Sequence, residues 1–76
     1  MGRRINMDKI KVYFDKEKDT LDIWFGEPEQ ELISEEAGDG LILKKDASGL
    51  IIGIEKLYVA KSLGNAKNIP VELIVA

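Results

Sequence analysis

The chain has 76 residues, of which 45% are hydrophobic, and it carries 14 acidic and 11 basic side chains but no histidine and no cysteine. This length predicts one small domain, and the absence of cysteine excludes disulfides and cysteine metal sites as its support. Because so short a chain buries only about 60% of its unfolded surface, we expect a homo-oligomer, with a dimer favoured.

The charge distribution and the apolar runs exclude several partners. Six acidic residues and no basic one lie in residues 27–39, and such a surface would repel a phosphate backbone. No apolar run approaches the roughly 20 residues of a membrane span, and no signal peptide is visible. We therefore expect a cytoplasmic protein that binds neither nucleic acid nor membrane. Residues 1–9 are predicted to be a flexible N-terminal segment and residues 10–76 a single small β-rich domain.

The first two predicted strands, residues 10–14 and 20–25, form a hairpin. Each alternates apolar and polar residues, and a polar loop of hairpin length separates them. If Asp15 pairs with Thr20, the large apolar side chains of both strands lie on one face, whereas a slip of one residue would separate them. These side chains are Ile10, Val12, Phe14, Leu21, Ile23 and Phe25.

A weaker strand follows over residues 30–36, after a turn that contains Pro28. It has few apolar residues and acidic flanks, which favours an edge or near-edge position in the sheet.

The central hairpin covers residues 41–57 and gives the strongest structural signal. Two apolar runs flank Asp46 to Gly49, which suits a type I turn with the glycine in the left-handed region. Gly53 predicts a bulge or a close approach of another group. One register places the apolar residues on a single core face. In that register Lys45 lies opposite Leu50, Leu43 opposite Ile52, and Leu41 opposite Ile54.

The C-terminal third combines a predicted helix with an apolar tail. Residues 55–63 predict a short helix that ends at Gly64. Residues 70–76 predict a last strand or an extended tail, which should add to a sheet edge in this chain or in a neighbour. The predicted fold is therefore mainly β, bordering on α+β. It is a twisted antiparallel meander of about five strands built from two hairpins, with a short C-terminal helix and a final strand or tail.

A second apolar set is predicted on the faces opposite the presumed core. The C-terminal helix or tail covers this set in one interpretation, and a partner protein covers it in the other. As a candidate interaction surface we take Tyr13, Trp24, Ile33, Ile42 and Ile51.

The residues for chemistry are sparse. Without histidine or cysteine the usual general base and thiol nucleophile are missing, and Ser62 beside Lys61 forms no recognisable catalytic motif. We predict no enzyme activity, no catalytic residues and no cofactor. The alternative is a small-ligand or divalent-cation site built from turn carboxylates, namely Asp15 and Asp19 at one turn and Glu35, Glu36 and Asp39 near another.

Several short pieces in order resemble the domain-of-unknown-function family 2283. They are residues 12–25, Asp39 to Leu43, Asp46 to Gly49, Ile52 to Glu55 and Ala60 to Ser62. The Ala-Lys-Ser order of the last piece departs from the family's commoner Ala-Ser-Lys. The resemblance implies a small β-rich domain and supplies no catalytic residues. Because some relatives lie beside toxin-like genes, it also implies an antitoxin-like role. We therefore expect a self-associating, non-enzymatic interaction module with a basic protein as its partner.

Overall fold

A computed structural model describes residues 9–76, which form one antiparallel five-stranded sheet and one short helix. The protein is thus mainly β, as predicted. A 3-10 turn over Pro28–Gln30 connects the second strand to the third. The strands are β1 (Lys11–Asp15), β2 (Thr20–Trp24), β3 (Ile33–Glu36), β4 (Leu41–Lys45) and β5 (Ile51–Leu57), and the helix is α1 (Val59–Ser62).

The strand order is β1-β2-β5-β4-β3. The first hairpin has the predicted register, since Asp15 pairs with Thr20 and Val12 with Ile23. The unit β3-β4-β5 joins this hairpin through the pairing of β2 with β5, so the chain between β2 and β3 crosses from the middle of the sheet to its far edge. β1 and β3 are the two edge strands, and the predicted edge position of the third strand is confirmed.

The predicted register of the central hairpin is wrong. Leu43 lies opposite Ile54 instead of Ile52, and Leu41 lies opposite Lys56 instead of Ile54. The first cause is the turn, because the Asp46 N–H donates to the Leu50 carbonyl oxygen and leaves a three-residue loop, with Gly49 at φ +84.

A second irregularity completes this shift. Lys44 pairs with Gly53 but Lys45 with Ile51, so Ile52 is an extra residue in β5. The predicted bulge near Gly53 is confirmed. The two irregularities together move the register by two residues, so Leu43 and Ile54 stay on the same face of the sheet.

The predicted helix over residues 55–63 is wrong in its first half. Glu55 and Leu57 belong to β5, where they pair with Asp22 and Thr20 of β2. Cross-strand pairing here overrides the helical tendency of a Glu-Lys-Leu sequence. The helix begins only after Tyr58, which has left-handed backbone angles (φ 58, ψ 40).

The two ends of the described chain lie outside the strands of the sheet. The predicted flexible segment, residues 1–9, lies outside the described residues except for Lys9. Residues 70–76 form no strand and are exposed, so they are a tail. Over residues 9–76, no helix has the length and the apolar character required to cross a membrane.

Candidate interaction surface

The sheet has one apolar face. Opposed residues in an antiparallel ladder share a face, and successive residues of a strand alternate between faces. The register therefore gathers seven large apolar side chains on one side, which we call the apolar face: Val12, Phe14, Leu21, Ile23, Leu41, Leu43 and Ile54.

The apolar face is open. None of its seven residues is buried; six are half-buried and Val12 is 48% exposed. Thr20, Trp24 and Gly53 lie on the opposite face and are all buried. The side that the sequence predicts as the core is thus the uncovered one. Among the described residues the buried large apolar side chains are Trp24, Ile52 and Val59.

Charged groups lie at the margin of the apolar face. Lys45 donates to Glu35 over 2.6 Å at the side bordered by β3. Lys56 shares the row of Leu21 and Leu41, but its ammonium donates to the carbonyl oxygens of Asp39 and Leu57 at the strand ends, at 3.0 and 3.1 Å. The aliphatic stem of Lys56 therefore joins the face while its charge lies outside the apolar centre.

The opposite face, which we call the tryptophan face, is built on a close cross-strand contact. Trp24 lies directly opposite Gly53 and is only 7% exposed. A Cβ atom at Gly53 would lie 2.6 Å from Trp24 Cε3. The indole therefore packs on the glycine backbone, which confirms the close approach predicted from Gly53.

A charge cluster on the tryptophan face is centred on Lys44. Its Nζ lies 3.3 Å from Glu31 and 3.1 Å from Glu55, and Ser34 donates to Glu31 over 2.6 Å. Hydrogen bonds from Ser34 and Lys44 lower the pKa of Glu31. Burial alone would lower the pKa of Lys44, but the hydrogen bonds and charges of Glu55 and Glu31 raise it. Lys44 is thus a cation that ties β5 and the segment before β3 to β4, and its raised pKa makes it unsuited to act as a base.

Asp22, next to this cluster, has a carboxylate in an unfavourable electrostatic environment. Burial raises its pKa, and the charge of Glu55 raises it further. Its buried Oδ1 has no hydrogen-bond partner within the described part of the chain. The ionised carboxylate therefore opposes folding at neutral pH.

We expect Asp22→Asn to raise the free energy of unfolding at pH 7. A carboxyl with a raised pKa binds more protons folded than unfolded, so wild-type stability rises as the pH falls through that pKa towards 3.8, the ordinary value. The advantage of the variant should therefore shrink with acidification. Urea unfolding at several pH values measures it. Glu36→Gln, an exposed carboxylate in the same cross-strand row, is the control; an equal gain there would refute the local cause.

The five residues of the predicted interaction surface do not form one patch. Tyr13, Trp24 and Ile42 lie on the tryptophan face, and Trp24 is buried there instead of free to anchor a partner. Ile33 and Ile51 both pair with Lys45 and lie on the same side as the apolar face. The bulge at Ile52 places Ile51 on that side, and the pairing of β3 with β4 places Ile33 there. A role of the individual side chains in binding stays a prediction.

Three of the five predicted turn carboxylates, Asp15, Asp19 and Glu35, have partners within the described chain. Asp15 accepts from the backbone N–H groups of Glu17 and Lys18. Asp19 accepts from Ala60 and Lys61, the first turn of α1, and Glu35 pairs with Lys45. Within residues 9–76, no three carboxylates lie together in a group that could hold a metal ion. The Ser62 hydroxyl donates to the Tyr58 carbonyl oxygen, an ordinary bond within a helix.

The sequence identifies Asp19 and Asp46 as turn residues but does not show the further hydrogen bonds that their side chains accept. Asp46 is 2% exposed, and its Oδ1 accepts from Ser48 N, Ser48 Oγ and Leu50 N. Asp19 is the cap of a helix 41 residues away in sequence. The Asp-x-Ser-Gly turn sequence signals the first role, whereas no local pattern signals the second.

The comparisons with known proteins give one match. The model of a family described as a protein of unknown function, DUF2283, matches residues 11–59, which include all five strands. No curated protein and no solved structure matches the chain.

Proposed function

The chain belongs to the DUF2283 family, which has no assigned function. From the geometry of the sheet, we propose that the protein is a non-enzymatic interaction module that forms a homodimer through its apolar face. The observation that carries this proposal is the openness of that face. Seven large apolar side chains lie together there and none is buried. Large exposed apolar patches mark interaction sites, because leaving them in water costs free energy.

A second copy suits this face as its occupant. Two sheets that pack face to face lie about 10 Å apart and interdigitate the side chains of their inner faces. In a two-fold dimer the same patch serves both copies, so an apolar centre meets an apolar centre. The charges of Lys45, Glu35 and Lys56 lie at the margin, which is the anatomy of a protein interface with a polar rim.

Two neighbouring residues of β1 test the proposal. Val12 and Tyr13 are similarly exposed, at 48% and 54%, but their side chains lie on opposite faces. Val12→Lys should weaken the dimer by about tenfold or more, since it adds a charge to the buried patch. Tyr13→Lys adds the same charge outside it and should leave the dissociation constant within about twofold. Sedimentation equilibrium measures both, with circular dichroism to verify folding.

The reverse outcome identifies a different surface. If Tyr13→Lys dissociates the dimer and Val12→Lys does not, assembly uses the tryptophan face and the proposal is wrong. If neither variant changes the dissociation constant, both faces are excluded as the main contact.

Binding of a basic partner protein remains a prediction from the sequence. The feature that favours it is β3, whose four residues are exposed and include Glu35 and Glu36. This edge lies at the far side of the sheet from β1, so a partner there would leave the apolar face available for the second copy. Charge complementarity would chiefly raise the association rate and its dependence on salt.

A further inference from the structure

Within residues 9–76, the tail, residues 70–76, is the largest exposed apolar segment outside the sheet. Val71, Leu73, Ile74 and Val75 are 67%, 89%, 75% and 87% exposed. One copy of the chain therefore gives these four side chains almost no apolar contact. Single apolar residues scattered over a surface are common, but four such exposed side chains within five residues form a contiguous apolar segment that favours a binding role.

The area of the apolar face leaves room for a further contact. Its seven residues span four strands over about four residues, which at about 4.8 Å per strand and about 3.4 Å per residue gives a projected area of about 250 Å². The accessible area of a corrugated face is larger, yet a stable interface usually buries about 800 Å² per partner. The area that sheet packing alone would bury therefore lies at the low end for a stable interface. A tail that crosses to the second copy would enlarge that area.

The two sheet edges differ in how well they suit the tail. The tail has one charged side chain, Glu72. Around β3, residues 31–39 contain four acids and no base, whereas residues 9–18 around β1 contain four lysines and two acids. β1 also presents apolar side chains on both of its faces, at Val12 and Tyr13. Charge and apolarity both favour β1.

We propose that residues 70–76 of one copy add as a strand to β1 of the second copy and extend its sheet from five strands to six. This inference rests on the proposed homodimer. An edge strand has a row of unpaired N–H and C=O groups, and an extended peptide can satisfy them with main-chain bonds. The tail alternates Val71, Leu73 and Val75 with Glu72 and Ile74, so one of its sides would continue the apolar face of the second copy.

The experiment compares the full chain with a variant that ends at Ile69 and with two proline variants. Removal of residues 70–76 should weaken the dimer by about tenfold or more. In an added strand, alternate N–H groups point towards the neighbour. Of Leu73→Pro and Ile74→Pro, therefore, one should weaken the dimer clearly more than the other. Sedimentation equilibrium gives the constants. Hydrogen exchange should show amides of β1, but not of β3, losing protection in the shortened chain.

The outcomes separate this inference from the proposed function. If the chain ending at Ile69 dimerises as tightly as the full chain, the tail inference is wrong and the face-to-face dimer stands. If both prolines are tolerated equally, or if truncation deprotects β3 instead of β1, strand addition to β1 is refuted. If the full chain is a monomer, both proposals fail.

Discussion

Gly53→Ala is expected to destabilise the fold by about 3 kcal/mol, the upper part of the range for overpacked sites. The new Cβ would lie 2.6 and 2.8 Å from Trp24 Cε3 and Cζ3, closer than van der Waals contact allows. Because Trp24 is one of the few buried apolar residues in the described chain, the indole cannot yield without opening the tryptophan face. A domain of this size has a total stability of only about 5 kcal/mol or little more. Urea unfolding gives the free energy.

The single tryptophan of the chain also reports this change directly. Its fluorescence should shift to the red in Gly53→Ala as the indole becomes exposed. In a Trp24→Leu background the same glycine substitution should cost much less, and this coupling identifies the contact as the cause. A loss below about 0.5 kcal/mol in the wild-type background, the size of an ordinary surface effect, would show that the ring has room to move.

Asp19→Ala is expected to cost about 2–3 kcal/mol. About 1–2 kcal/mol comes from the lost cap, because the carboxylate accepts from Ala60 N at 2.7 Å and from Lys61 N at 3.2 Å. About 1 kcal/mol more comes from the backbone, because Asp19 has φ 56 and alanine tolerates this left-handed region poorly. The loss should detach α1 and its buried Val59 from the first hairpin, which urea unfolding and hydrogen exchange in residues 59–63 would detect.

Asp39 provides the matched control for this prediction. It has φ 52, but its carboxylate makes no hydrogen bond with the described residues. Asp39→Ala should therefore cost only the backbone contribution of about 1 kcal/mol. Equal losses in the two variants would show that the Asp19 cap adds nothing.

The first hairpin was predictable because all of its signals are local. Large apolar residues at every second position on both sides of a short polar loop favour one register, because any slip of one residue would move an apolar set to the wrong face. Asp15 and Thr20 pair as expected. The fold class and the edge position of β3 follow from the same kind of pattern, through strand lengths, turn residues and acidic flanks.

The central hairpin shows where alternation stops being sufficient. Its face assignment for Leu41, Leu43 and Ile54 is correct, but the pairing depends on the backbone bond from Asp46 to Leu50 and on the bulge at Ile52. Both features belong to the backbone geometry. The apolar pattern of the two strands is compatible with several registers, so it does not reveal which of them the backbone adopts. The helix boundary was missed for a related reason, because residues 55–57 are held in β5 by pairing with β2, more than 30 residues earlier, and with β4.

The candidate surface was the least predictable feature. Alternation separates two apolar sets but does not say which one a single copy covers. The deciding contact is Trp24 on Gly53, a pairing between β2 and β5 that buries both residues on the tryptophan face. Trp24, a residue type that often anchors interfaces, is therefore buried, whereas the seven side chains of the apolar face, which the sequence predicts in the core, are not.

The mass of the full chain in solution tests the central claim most directly. Sedimentation equilibrium at micromolar concentration should give twice the 8.5 kDa of one chain, about 17 kDa, with dissociation only on dilution. A mass of 8.5 kDa that stays constant up to the highest concentration measured would contradict the account, because the apolar face would then be stable in water without a second copy.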